Sequence, residues 1–131
     1  MASSEKKALV KAWLDKAESD LGAARALILG PERYLDSGAY HCQQAAEKSL
    51  KATLTFHDIP FPKTHNLSEL LASCQSFDSS AMSFMEFASL LTPYASEFRY
   101  PGDLFAPSFK DAKEALIMAD AFLQHAKRSL C

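Results

Sequence analysis

Lys48 and Lys51 stand three residues apart, so any helix that contains them presents both on one face. His41 and Gln44 extend that row toward the N-terminus. A basic row of this kind can contact phosphates as point charges. Beside it, Gln43 falls among apolar positions and Glu47 follows one turn later. An amide on the buried side of a helix requires partners. The other polar residues capable of chemistry are scattered: Asp20 far upstream, His65 after a proline loop, and Arg99-Tyr100 with Asp103. They divide into two sets. His41, Gln44, Lys48, Lys51, His65, Arg99, Tyr100 and Asp103 are candidates for ligand contact. Asp20, Gln43 and Glu47 are candidates for a structural polar network.

Each of these residues also has a plainer role. Lys48, Lys51 and Gln44 could be solvated helix-face residues, and Gln43 could bridge two helices. His65 could cap a third helix or fill a loop corner. Arg99 could be a helix C-terminal cation, or a partner of Asp20 or Glu47. Tyr100 could pack under a loop, and Asp103 suits a turn.

Metal and nucleotide motifs are absent. A di-iron bundle needs Glu-x-x-His pairs, but Gly38, Leu54, Pro62 and Phe122 stand three before His41, His57, His65 and His125. No Cys-x-x-Cys, His-Glu-x-x-His, P-loop, Gly-x-Gly-x-x-Gly or Gly-x-Ser-x-Gly pattern occurs. The expectation is a protein without metal or cofactor, in which any nucleotide is held by side chains.

The elements that position these residues follow from the helical period of about 3.6 residues. From Ser4 to Leu29, Leu9, Val10, Trp13, Leu14, Ala17, Leu21, Ala24, Leu27 and Ile28 share one arc, and Gly30-Pro31 ends the helix. Asp20 falls inside that arc. "PERYLDSG" reads as a connector, with Asp36 or Ser37 capping a second helix that runs to about His57. Its main apolar face is Ala39, Cys42, Ala46, Leu50 and Leu54. A second patch of Ala45, Ala52 and Phe56 suits a central helix or a subunit seam. "DIPFPKT" is a rigid loop, and a short helix from about Asn66 to Gln75 follows.

Asp78 or Ser79 is expected to cap a fourth helix. Pro93 should interrupt it, with Thr92 capping a segment that resumes through Tyr94 and Phe98 to "RYPGD". Ser108 and Asp111 form a capping box with a shorter acid before a last helix, Phe109 to about Ser129. No segment alternates with period two. The fold class is all-α: an up-and-down antiparallel bundle of about five helices, in a single domain over 1–131.

Bulk properties bound the function. A chain of 131 residues that is 48% hydrophobic can build a core without staples. A net charge of -2 removes the case for a strongly basic nucleic-acid surface but leaves room for a local groove. Cys42 and Cys74 sit at apolar positions and read as buried thiols, with Cys131 exposed, which fits a reducing cytoplasm. No stretch approaches the roughly 20 apolar residues of a membrane span, and the start shows no secretory pattern.

Three blocks together resemble the HEPN domain family: "WLDKAESDLGAARALI", "AYHCQQAAEKSLKATLTFHDIPFPKTHNLSELL" and "FRYPGD". The specific parts are Gln-Gln-Ala-x-Glu-Lys-x-x-Lys-Ala at Gln43 to Ala52, the prolines at 60 and 62, Thr-His-x-Leu at Thr64 to Leu67, and Arg-Tyr-Pro at Arg99 to Pro101. Asp20-Leu21 is a weaker match. The resemblance implies a homodimer, a nucleotide or RNA ligand, and a nucleotidyltransferase partner, sometimes in a toxin–antitoxin pair. Many members are ribonucleases with an arginine, a gap of four to six residues, and a histidine. Counted from Arg99, that histidine would fall at Leu104, Phe105 or Ala106, and it is missing.

The resulting expectation is a dimeric binding module for a nucleotide or a nucleotidyltransferase partner, without chemistry of its own. In it, Gln43 and Glu47 would support Arg99 from inside the bundle. The alternatives are a ribonuclease using Arg99 with His65 or Asp103, and a scaffold bundle with no small ligand.

Overall fold

The computed structural model describes residues 3–96 and 106–130. Among these there are five α-helices and no strands: α1 (Ser4–Leu29), α2 (Leu35–Phe56), α3 (Leu67–Ser73), α4 (Met85–Leu91) and α5 (Phe109–Leu130). Single 3-10 turns, Ala81–Phe84 and Thr92–Ala95, flank α4. Expectations at Arg99, Tyr100, Asp103, Cys131 and the "RYPGD" segment lie outside the described residues.

α1 starts at Ser3, whose hydroxyl accepts from the Lys6 amide at 3.0 Å. Contacts along its length show that α1 and α2 run antiparallel. Lys6 meets Asp58 just beyond the end of α2, Asp20 meets Lys48, and Ile28 meets Gly38. α5 is antiparallel to α1 in turn. Arg33 just past α1 stacks on Phe109 at 3.6 Å, Arg25 pairs with Asp120, and Glu18 pairs with Lys127. With α1 antiparallel to both, α5 lies beside α2 in the same sense, and α3 and α4 come between them in the chain.

The core sits among these helices: Ala17, Leu21, Ala24 and Ile28 of α1, Cys42, Ala46, Leu50 and Leu54 of α2, and Ala115, Ala119, Phe122 and Leu123 of α5. Leu67, Leu70 and Leu71 close it at one end. Both apolar sides of α2 are used within one chain, because Ala45 and Ala52 are fully buried. α2 is thus the central helix, and its second side no longer argues for a subunit seam. Leu9, expected in the buried arc, is 51% exposed. The first turns of α1 are opposed by the end of α2, where Lys6 lies over Phe56, so Val10 is covered and Leu9 is left on the flank.

Several helix ends differ from expectation. α2 begins at Leu35, before Asp36 and Ser37, and Tyr34 at its N-cap makes no side-chain capping bond. Backbone closure does this work: the Tyr34 amide donates to Leu27 O at 2.8 Å, and its carbonyl accepts from Gly38. Asn66 caps α3, accepting from the Ser68 and Glu69 amides. Thr92 does not cap a resumed helix. Its hydroxyl donates to Ala88 O and accepts from the Leu67 amide, so it caps α3 from α4. Asp78 accepts from the Ser80 amide and hydroxyl and also holds His125 of α5 at 2.7 Å. The capping box is present as expected: Ser108 Oγ accepts from the Asp111 amide and Asp111 Oδ2 accepts from the Ser108 amide, both at 3.1 Å.

The close crossing of α1 and α2 depends on Gly38. A Cβ there would stand 2.4 Å from Ile28 Cγ1 and 2.8 Å from its Cδ1, and Ile28 is fully buried. Alanine would gain about 1 kcal/mol of helix propensity, yet crowding of a packed core costs about 1–3 kcal/mol. Gly38→Ala is expected to lower stability by about 1 kcal/mol. The exposed Gly22, with nothing within 4 Å of its added Cβ, is the control: Gly22→Ala should raise stability by up to about 1 kcal/mol. Thermal unfolding of the two variants checks both signs.

Candidate functional site

The antiparallel crossing of α1 and α2 brings Asp20 against two residues seven apart on α2. Asp20 Oδ1 bonds His41 Nδ1 at 2.8 Å and Oδ2 accepts from Lys48 Nζ at 2.5 Å. The carboxylate is nearly buried, which explains why an acid occupies the apolar arc of α1. One turn further round α2, Glu47 gathers a second set. Its Oε1 bonds His65 Nδ1 at 2.8 Å and accepts from Gln43 Nε2 at 3.1 Å, while Oε2 accepts from Lys51 Nζ at 3.0 Å.

Gln43 is fully buried and uses its amide on all sides. It donates to Glu47 and to the His65 carbonyl at 2.9 Å, and its oxygen accepts from Gln44 Nε2 at 2.7 Å. These bonds fasten the proline loop to α2 and set His65 over Glu47. Burial pushes the Glu47 carboxyl up, but hydrogen bonds from His65, Gln43 and Lys51, with the Lys51 charge, outweigh it. The group is held below the ordinary carboxylate range. Glu47 is therefore ionised at neutral pH.

The structure brings together Asp20, His41, Gln43, Gln44, Glu47, Lys48, Lys51 and His65. It corrects the expected exposure of three of them. The Lys48 and Lys51 side chains are only 21% and 12% exposed and each pairs with a buried carboxylate. Gln44 is buried. α1 on one side and the proline loop on the other cover the row that would otherwise face water. The histidines are the open members: His41 is 32% exposed and His65 is 70% exposed. Neither ring's Nε2 makes a hydrogen bond to any described residue. The partners seen on Glu47 are His65, Gln43 and Lys51; the expected support of Arg99 falls on residues outside those described.

Two aromatic neighbours were absent from the sequence-based site. Lys51 Nζ lies 5.7 Å from the ring centroids of both Trp13 and Phe61, which meet edge to face at 6.5 Å. Trp13 falls in the α1 core arc and Phe61 in the rigid proline loop. Only the antiparallel crossing and the loop geometry unite them, and no local spacing signals it.

Elsewhere, Cys42 and Cys74 are buried, and burial pushes both thiols up to about 12, so they act as small apolar groups. Among the described residues, no group of three or more His, Cys, Asp or Glu is placed to hold a metal ion. No helix among them is long and apolar enough to cross a membrane.

The family model of the HEPN domain matches residues 10–129. The fold is similar to the crystal structure of ST0689, an archaeal HEPN homologue, at 26% identity and a TM-score of 0.75, covering 93% of this chain and 98% of that one. It is also similar to the crystal structure of TT1696 from Thermus thermophilus, at 27% identity and a TM-score of 0.79, covering 92% and 98% of the two chains. No curated protein matches the sequence.

Proposed function

This chain belongs to the HEPN domain family, and on that premise we propose that it is a nucleotide-binding module that acts as a homodimer, without ribonuclease chemistry of its own. The observation that carries this reading is the polar strip on α2. Two buried carboxylates hold two histidines by Nδ1 and two lysines by Nζ where α1, α2 and the proline loop meet. A bundle that needed only stability would gain little from burying four charges. The open histidine edges suit an anionic group, and Trp13 with Phe61 beside Lys51 offers aromatic surface for a base. Arg99, Tyr100 and Asp103, in the "FRYPGD" block that carries the family resemblance, are proposed to complete the ligand set.

A nucleotidyltransferase partner, in a toxin–antitoxin pair or otherwise, also rests on that resemblance. So does the homodimer. Its seam is proposed around Ile117 and Leu90, which are 68% and 52% exposed, since α2 is covered within one chain.

One observation favours a second reading. His65 on Glu47 has the form of a carboxylate-held imidazole, the orientation that general acid–base catalysis uses. A ribonuclease drawing on Arg99 and His65 is the alternative.

Titration calorimetry with ribonucleoside triphosphates, beside incubation of the pure protein with mixed RNA, tests both readings. Saturable nucleotide binding without RNA loss is expected. Cleavage abolished by Arg99→Ala would establish the ribonuclease instead, and neither binding nor cleavage would leave a scaffold. Light scattering on the same sample is expected to return twice the chain mass.

A further inference from the structure

The lysines of this strip are already engaged. Lys48 is bound to Asp20 and Lys51 to Glu47, so the two cations and two carboxylates cancel locally. A phosphate that approached them would compete with partners at 2.5 and 3.0 Å. The histidines differ. Each turns Nδ1 inward to a carboxylate oxygen at 2.8 Å. An ionised carboxylate only accepts, so Nδ1 carries the hydrogen in both rings. In the neutral ring, Nε2, on the far side of the ring from the carboxylate, is then a lone pair without a hydrogen, which repels a phosphate oxygen. Protonation converts it into a charged donor at the same position and gives the balanced strip a net positive charge.

We infer that His41 and His65 are the anion-contacting groups of this site, and that a phosphate-bearing ligand docks on their Nε2 atoms with uptake of a proton at each. This assignment rests on the nucleotide reading above and specifies how that site takes charge. Among the described residues, His41 meets Asp20 of α1, whose other oxygen holds Lys48 of α2, and lies edge to face with the Tyr40 ring at 5.4 Å. His65 meets Glu47, whose other oxygen holds Lys51. Each ring thus has one carboxylate in direct contact, and that carboxylate stays in place to balance the imidazolium.

The test is calorimetric titration of the full chain with ATP, inorganic triphosphate and adenosine at pH 6 and pH 8, for wild type and for the His41→Gln, His65→Gln variant. Comparing the two proteins cancels the titration of the ligand's own phosphates. One linked proton changes affinity about tenfold per pH unit above its pKa. Wild-type affinity for ATP is expected to fall at least about tenfold more than that of the variant between the two pH values. In buffers of different ionisation enthalpy, wild type should take up more protons on binding than the variant. Triphosphate should show the same uptake and adenosine none. Glutamine keeps a donor for Asp20 and Glu47, and circular dichroism confirms that the variant is folded. ATP binding with equal pH dependence in both proteins would overturn the histidine assignment alone. Absence of ATP binding at either pH would overturn the nucleotide reading beneath it.

Discussion

Replacing Glu47 with alanine is expected to destabilise the protein by about 3–5 kcal/mol, the range for removing one partner of a buried ion pair. Three groups converge on this carboxylate from two elements. Lys51 and Gln43 reach it from α2, one turn to either side, and His65 reaches it from the loop. Its loss leaves the Lys51 ammonium, 12% exposed, without its counter-charge. It also leaves one of the buried Gln43 N–H donors unpaired. His65 is open to water and adds little. Glu47→Gln keeps an oxygen for one donor and most of the packing, so its cost should be clearly smaller. Urea unfolding at pH 7 measures the series, with stability expected to fall from wild type to Glu47→Gln to Glu47→Ala. A Glu47→Ala protein within about 1 kcal/mol of wild type would show that water or a neighbouring group takes over the site, since surface substitutions usually stay within about ±0.5 kcal/mol.

The sequence made the long elements legible because each is a local statement. The arc from Leu9 to Ile28, the face from Ala39 to Leu54 and the stripe from Ala112 to Ala126 follow from period alone; the face and the stripe are buried throughout, while in the arc Val10, Ala17, Leu21, Ala24 and Ile28 are buried, Trp13, Leu14 and Leu27 are part-buried and Leu9 is exposed. The Ser108–Asp111 box is legible for the same reason: both partners lie within one turn. Asp20 stood out as an acid in an apolar arc. What period cannot supply is the object placed against a given angle. Lys48 and Lys51 sit where a free helix meets solvent, and they are covered because Asp20, 28 residues before Lys48, and the loop bearing Phe61 arrive there. His65 reaches Glu47 across 18 residues with no periodic relation to it. Thr92 caps α3 from a distance of 25 residues. Legibility therefore ends where a polar side chain takes its partner from another element: the bonds of Asp20 and of His65 in the candidate site are of that kind, whereas Gln43, Glu47 and Lys51 meet within α2 at the one-turn spacing the sequence displays.

The lysines supply the sharpest consequence. On a solvated face, Lys48→Ala with Lys51→Ala would be nearly neutral. With each lysine closing a buried carboxylate, the double variant is expected to lose about 3 kcal/mol at pH 7, the low end for broken buried pairs because both side chains keep some water contact. The pH dependence separates this cause from lost packing. Glu47 titrates lower in the folded protein than its ordinary value of 4.5. Its contribution is therefore fully present above about pH 4.5 and is lost as pH falls through the folded value. Lys51 supplies a hydrogen bond and a charge that hold Glu47 down. Without it the folded pKa moves back up, so Lys51→Ala has less left to lose on acidification. The stability gap between wild type and Lys51→Ala should be widest near pH 7 and should narrow below about pH 4.5. Chemical denaturation of both proteins across about pH 3 to 7 resolves the curve. A gap that stays constant with pH would trace the loss to the lysine's methylene packing against Trp13 and Phe61. A gap near zero at pH 7 would return the row to the solvent-facing role that its spacing alone suggests.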